Sequence, residues 1–72
     1  MKKIKLANRL KIARAERNLS QEELARLGGV TRQTISSIEN EQYVPSALLA
    51  FLLANRLEKP VDEVFYLEEI ET

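Results

Sequence analysis

Arg32, Gln33, Ser36 and Ser37 are the residues whose types and spacing most directly suggest chemistry. At about 100° per helical residue, Gln33, Ser36 and Ser37 fall at roughly 100°, 40° and 140° from Arg32, while Thr34, Ile38 and Ile35 fall at roughly 200°, 240° and 300°. One side of the helix is therefore polar and the other is core. A guanidinium can grip guanine O6 and N7, and a carboxamide can grip adenine N6 and N7. Small serines let a helix approach closely and accept varied partners. The expected chemistry is hydrogen-bond readout of base edges in the major groove of double-stranded DNA, with Arg32, Gln33, Ser36 and Ser37 as base contacts.

The rest of the inventory closes other routes. There is no cysteine and no histidine, so a disulfide framework, thiol chemistry, a zinc site and imidazole catalysis are not expected. The carboxylates Asp62 and Glu63 lie at a helix start, where capping explains them better than acid–base work. An enzyme is not expected, nor a metal, a cofactor or a small-molecule ligand. Seventy-two residues make one small domain, 1–72, able to bury only about 60% of the surface its unfolded chain exposes. No apolar run approaches the roughly 20 residues of a spanning helix, and the cationic segment from Met1 to Lys11 lacks the apolar stretch of a signal peptide. A cytoplasmic location with no membrane partner is expected.

Net charge is zero but unevenly spread. Up to Arg32 nine lysines and arginines face three glutamates; from Gln33 onward two face eight acidic residues. The expectation is a basic half that meets phosphate and an acidic tail, Glu58 to Glu71, that faces away or meets a partner.

The elements that must position the polar face are helices. Asn8 is placed to cap a first helix running to about Arg17, and Asn18 ends it. Ser20 and Glu23 form a capping box, with Leu19 and Leu24 as its hydrophobic staple, and this second helix stops at Gly28-Gly29. Thr31 caps the third helix, whose buried side is Ile35 and Ile38. Glu41 to Pro45 is a loop; Ser46 opens a fourth helix through Leu57, in which Leu49, Phe51 and Leu53 are expected core. Pro60 leads into a short fifth helix, Val61 to Phe65. Lys2 to Leu6 and Tyr66 to Ile70 alternate, so the termini either pair as a small antiparallel ladder or fray.

Two short helices joined by a four-residue turn cross steeply, with small Ala25 at the approach and Gly29 at the reversal. The segment QEELARLGGVTRQTISSIE, residues 21 to 39, resembles the helix-turn-helix of the Cro/C1-type (XRE) family of bacterial, archaeal and phage regulators. Arg14, the stretch Tyr43-Val-Pro-Ser46 and the stretch Val61-Asp-Glu-Val-Phe65 are similar as well, so the likeness covers residues 8 to 66. It implies an all-α fold, a compact five-helix lambda-repressor-like domain with its helix-turn-helix unit at about 20–39 and a tail at 66–72. Short extended terminal segments are compatible with it.

Phosphate contacts are expected at the edges of the unit, where helix-start amides point outward: Ser20, Gln21 and Thr31 on one side, Asn40 and Tyr43 on the other. The resemblance implies such roles for Gln21 and Asn40, and a buried ion pair between Arg14 and Glu39. Gly28, Glu41 and the pair Glu58 and Lys59 depart from the family pattern. Gly28 is expected to loosen the second helix, Glu41 to weaken phosphate attraction, and the last two leave the geometry of their turn open.

A single helix reads only a few base pairs, so a homodimer on a pseudo-palindromic operator with half-sites about 34 Å apart is expected. Leu48 and Leu52, at positions the family usually makes polar, and Tyr66 and Leu67 in the tail are the candidate dimer contacts. The expected function is sequence-specific DNA binding as a small transcriptional regulator, a repressor first. Two alternatives stay open: a DNA-binding antitoxin whose acidic tail neutralises a toxin, and a protein–protein adaptor on the same scaffold.

Overall fold

The computed structural model describes residues 2–71. In chain order they form β1 (Lys2–Asn8), α1 (Leu10–Glu16), α2 (Gln21–Gly28), α3 (Arg32–Glu39), α4 (Ala47–Arg56), α5 (Val61–Val64) and β2 (Phe65–Glu71). The five helices stand where periodicity and caps put them. The all-α expectation is overturned: β1 and β2, seven residues each, form an antiparallel two-stranded sheet. Its register sets Lys2 opposite Glu71, Lys5 opposite Glu68 and Leu6 opposite Leu67. Opposite charges and apolar side chains thus meet across the ladder, the pairings that stabilise adjacent strands. Phe65, expected as the last residue of the fifth helix, instead begins β2 and is buried.

Side-chain oxygens define the helix starts. Ser20 Oγ accepts from the Glu23 amide at 3.0 Å while the Ser20 amide donates to Glu23 Oε1 at 2.8 Å. The Ser20 amide first, and the Ser20 hydroxyl beside it, favour the ionised form and hold the Glu23 carboxyl below its ordinary range. Thr31 Oγ1 accepts from the Thr34 amide at 3.2 Å, and Ser46 Oγ from the Leu49 amide at 3.1 Å. Asn8 is not the cap residue of α1 but the last residue of β1; its Oδ1 accepts from the Leu10 amide at 3.0 Å. Its Nδ2 donates to the Ile38 carbonyl at 2.9 Å, which ties the sheet to the end of α3.

Helices α1 to α4 all end the same way, on a left-handed residue: Asn18, Gly29, Glu41 and Glu58, with φ of 56°, 69°, 61° and 58°. In each the next residue's amide reaches back five positions, as from Val30 to Ala25 at 2.9 Å and from Gln42 to Ser37 at 2.8 Å. Two of these sites hold glutamate where glycine is least strained. Both carboxylates are tied to distant cations, Glu41 to Lys5 at 2.6 Å and Glu58 to Arg17. The turn at Glu58 and Lys59 takes this geometry without glycine, closed by the Lys59 amide on the Ala54 carbonyl at 3.0 Å.

The core is one cluster in which Leu10, Leu24, Ile35, Ile38, Leu53, Leu57 and Val64 are fully buried. Gly28 does not loosen α2. It is buried as that helix's last residue, and a methyl group there would lie 2.8 Å from Leu53 Cδ2, so glycine permits α2 and α4 to touch. Phe51, expected in the core, is 61% exposed. Leu53 and half-buried Leu49 take that role, because the inward side of α4 passes through Ala50, Leu53 and Ala54.

Candidate nucleic-acid interface

Three helices meet at one polar junction behind the exposed unit. Arg14 of α1 donates to Glu39 of α3 through Nε at 2.8 Å and through Nη2 at 3.3 Å, and to the Leu19 carbonyl through Nη1 at 2.8 Å. The Glu39 side chain is 4% exposed and that of Arg14 14%. Gln21, from the first turn of α2, donates its Nε2 to Glu39 Oε1 at 3.0 Å. A planar guanidinium matched to a carboxylate fixes distance and orientation together. The angle between α2 and α3 is thus set by apolar packing on one side and by this network on the other.

With Ile35 and Ile38 sealed into the core, the opposite side of α3 is solvent-facing. Arg32 and Gln33 are exposed; Ser36 and Ser37 are half-buried. Among the described residues none of the four side chains is engaged in a hydrogen bond or ion pair. They are free to make bonds elsewhere. Thr34 differs, since its hydroxyl is held 3.0 Å from Thr31 Oγ1 and serves the cap.

The expected phosphate contacts fall into two groups. Ser20 and Thr31 are exposed, and their hydroxyl oxygens accept cap bonds while the O–H of Ser20 stays available to donate; Gln21 is half-buried, with one hydrogen of its amide nitrogen on Glu39 and the other available. The amides of Gln21 and Glu22 at the start of α2 add to these donors, and the Glu22 and Glu23 side chains stand beside them. Asn40 and Tyr43, at the exit of α3, are both exposed.

The candidate dimer contacts occupy two places. Leu48 on α4 is 78% exposed and Leu52 half-buried, while Leu67 on β2 is 73% exposed and Tyr66 half-buried beneath the Arg9 guanidinium, 4.4 Å from its ring. Leu48, Phe51, Leu52 and Asn55, with Lys59 and Val61, line a surface groove of about 410 Å³. Sequence reasoning missed Phe51. Its place three residues after Leu48 was the available signal, because that spacing returns to the same helical face. The tie from Gln21 to Glu39 was missed too, having no signature in a linear pattern.

Two crossed helices around a tight glycine turn, the second presenting an unengaged polar face, define a helix-turn-helix unit. The chain belongs to the Cro/C1-type helix-turn-helix family, whose model matches residues 10–64. It is 44% identical over 64 residues to an HTH-type transcriptional regulator of Bacillus subtilis, YgzD, covering 89% of this chain and 97% of that protein. It is also 44% identical over 66 residues to an HTH-type transcriptional regulator of Methanocaldococcus jannaschii, covering 92% and 100%. The crystal structure of the restriction-modification controller protein C.AhdI from Aeromonas hydrophila aligns with a TM-score of 0.73 at 34% identity, over 76% of this chain and 80% of that one.

Proposed function

We propose that this protein is a sequence-specific double-stranded DNA-binding transcriptional regulator, acting in the cytoplasm as a homodimeric repressor on a pseudo-palindromic operator. Its action is binding without chemistry: α3 enters the major groove and blocks or recruits according to where the operator lies. One observation carries this reading. Arg32, Gln33, Ser36 and Ser37 stand unengaged on a helix whose Ile35 and Ile38 are buried in the core. The naming of the Bacillus and Methanocaldococcus relatives as transcriptional regulators supports it.

The antitoxin alternative loses its main support, because the acidic tail is β2, paired along its length with β1. Its Glu68 and Glu69 already meet Lys5 and Lys2. For the dimer, α4 is the better contact. From Ala47 to Asn55 it carries no charge in a chain that is 31% charged, and its outward stripe pairs most naturally with an identical stripe across a two-fold axis. Selection of bound duplexes from a random pool at two salt concentrations tests the function: a recurring inverted repeat is expected. Recovery of no enriched sequence at either salt concentration would overturn the specific-binding reading.

A further inference from the structure

The terminal sheet is fastened to the recognition helix at one point. The Ile38 carbonyl accepts both from Asn8 Nδ2 of β1, at 2.9 Å, and from the Glu41 amide, at 3.0 Å. Three residues before Asn8, Lys5 reaches its ammonium to Glu41 Oε1 at 2.6 Å and to Glu68 Oε1 at 3.3 Å. Glu41 follows Asn40 directly and precedes Tyr43 by two residues, so a lysine from one end of the chain stands beside the two residues assigned to the DNA backbone on this side. Alone, Glu41 would repel phosphate and Lys5 would attract it. With Glu68 also on the lysine, the three charges sum to one negative, and Glu41, the nearer partner, is the one beside Asn40.

We propose that Lys5 is a further phosphate-contacting residue of this surface and that Glu41 competes with the DNA backbone for it; the inference rests on the reading of α3 as the helix that enters the groove. Its geometry supplies the competition. Lys5 is held by hydrogen bonds at its charged tip, not buried in apolar surroundings, so the ammonium can exchange one oxygen partner for another without being desolvated. The bonds to Glu41 and then to Glu68 also raise its pKa, which keeps the proton throughout the physiological range. Affinity in the resting protein is thereby held below what the surface can deliver.

The test uses the full chain and a duplex selected with the unaltered protein, with affinity followed by fluorescence anisotropy across salt concentration. Glu41→Gln keeps the side-chain size and the same backbone demand while removing the competing charge. It is expected to bind roughly fivefold to tenfold more tightly near 0.1 M salt, with the log–log salt slope steeper by about 0.9, the signature of one added phosphate contact. Lys5→Met in the Glu41→Gln background should return both quantities to their starting values. Glu68→Gln, which leaves Glu41 on the lysine, should leave the slope unchanged. An unaltered slope in Glu41→Gln overturns the proposal, as does a gain that persists after Lys5→Met, since the contact would then be another residue's. If the unaltered protein binds no duplex, the reading of α3 fails first and the proposal with it. Thermal melts of each variant confirm that a folded protein was compared.

Discussion

Glu39→Ala is the substitution with the largest expected consequence. It removes the acceptor for two guanidinium donors of Arg14 and for the Gln21 amide, leaving a positive charge at a junction where the carboxylate it faced was 4% exposed. The Leu19 carbonyl is the partner that stays. Breaking one side of a buried ion pair costs about 3 to 5 kcal/mol, because the remaining charge has lost its water and its partner together. A 72-residue domain holds on the order of 4 to 11 kcal/mol in total, so the variant should lose from roughly a quarter to all of its stability. Urea unfolding followed by circular dichroism at 25 °C measures the loss, with an unchanged slope against denaturant confirming that the same surface unfolds. Arg14→Met should cost a similar amount. The double variant Arg14→Met with Glu39→Ala should cost far less than the two singles combined, since neither buried charge then remains. If each single loses under about 1 kcal/mol and the two add, the pair behaves as an exposed one and the reasoning is refuted.

Arg32→Ala should lower discrimination at one base position by about 1 to 3 kcal/mol, whereas Gln21→Ala should weaken all duplexes alike; competition binding against single-base variants separates the two patterns. Gly28→Ala should destabilise despite the better helix propensity of alanine, because its methyl would sit 2.8 Å from Leu53 Cδ2; recovery of the melting temperature on adding Leu53→Val checks the cause. The Glu23 carboxyl is held below its ordinary range in the folded state, so its contribution is present above about pH 4.3 and is lost as pH falls through the lowered folded value. Glu23→Gln should therefore flatten the acid limb of the stability profile, read by unfolding at a series of pH values. Phe51→Glu should convert a dimer to a monomer in sedimentation velocity while leaving the helical circular dichroism unchanged.

Much of the fold was legible because its signals are local. Ser20 with Glu23, Thr31 with Thr34 and Ser46 with Leu49 are caps written within four residues, and each bounds a helix in the structure. The sheet was harder, since Lys2 and Glu71 lie at opposite ends of the chain and no turn sequence connects them. Alternation in two short terminal segments allowed the pairing but did not require it. Phe51 was misplaced because an aromatic residue in a leucine-rich helix is ordinarily core; the inward face here is narrow and is filled by alanines and Leu53. The polar side of α3 was read directly from spacing, whereas Lys5 at its end depends on a tertiary approach between residues 36 positions apart.

The charge asymmetry along the chain has a different meaning in space. The acidic tail was expected to face away from the basic half or to meet a partner, with pairing of the two termini left open, and folding brings the halves together: Lys2 meets Glu69, Lys5 meets Glu41 and Glu68, Arg17 meets Glu58, and Lys59 meets Glu16. These exposed pairs each contribute little to stability, about 0 to 1 kcal/mol, so their larger effect is on the field outside the protein. Among the described residues, the cations outside any ion pair include Arg26 and Arg32, which line the same groove between α2 and the start of α3. Lys3, Arg9, Lys11 and Arg56 also stand outside any ion pair among the described residues, so attraction to a polyanion is spread over several elements while the net charge of the chain is zero. A protein so arranged should hold random duplexes weakly and depend on its base contacts for selectivity. Glu41, the exposed carboxylate that follows α3 directly beside Asn40, is therefore a position where a change of charge acts on the DNA-facing side.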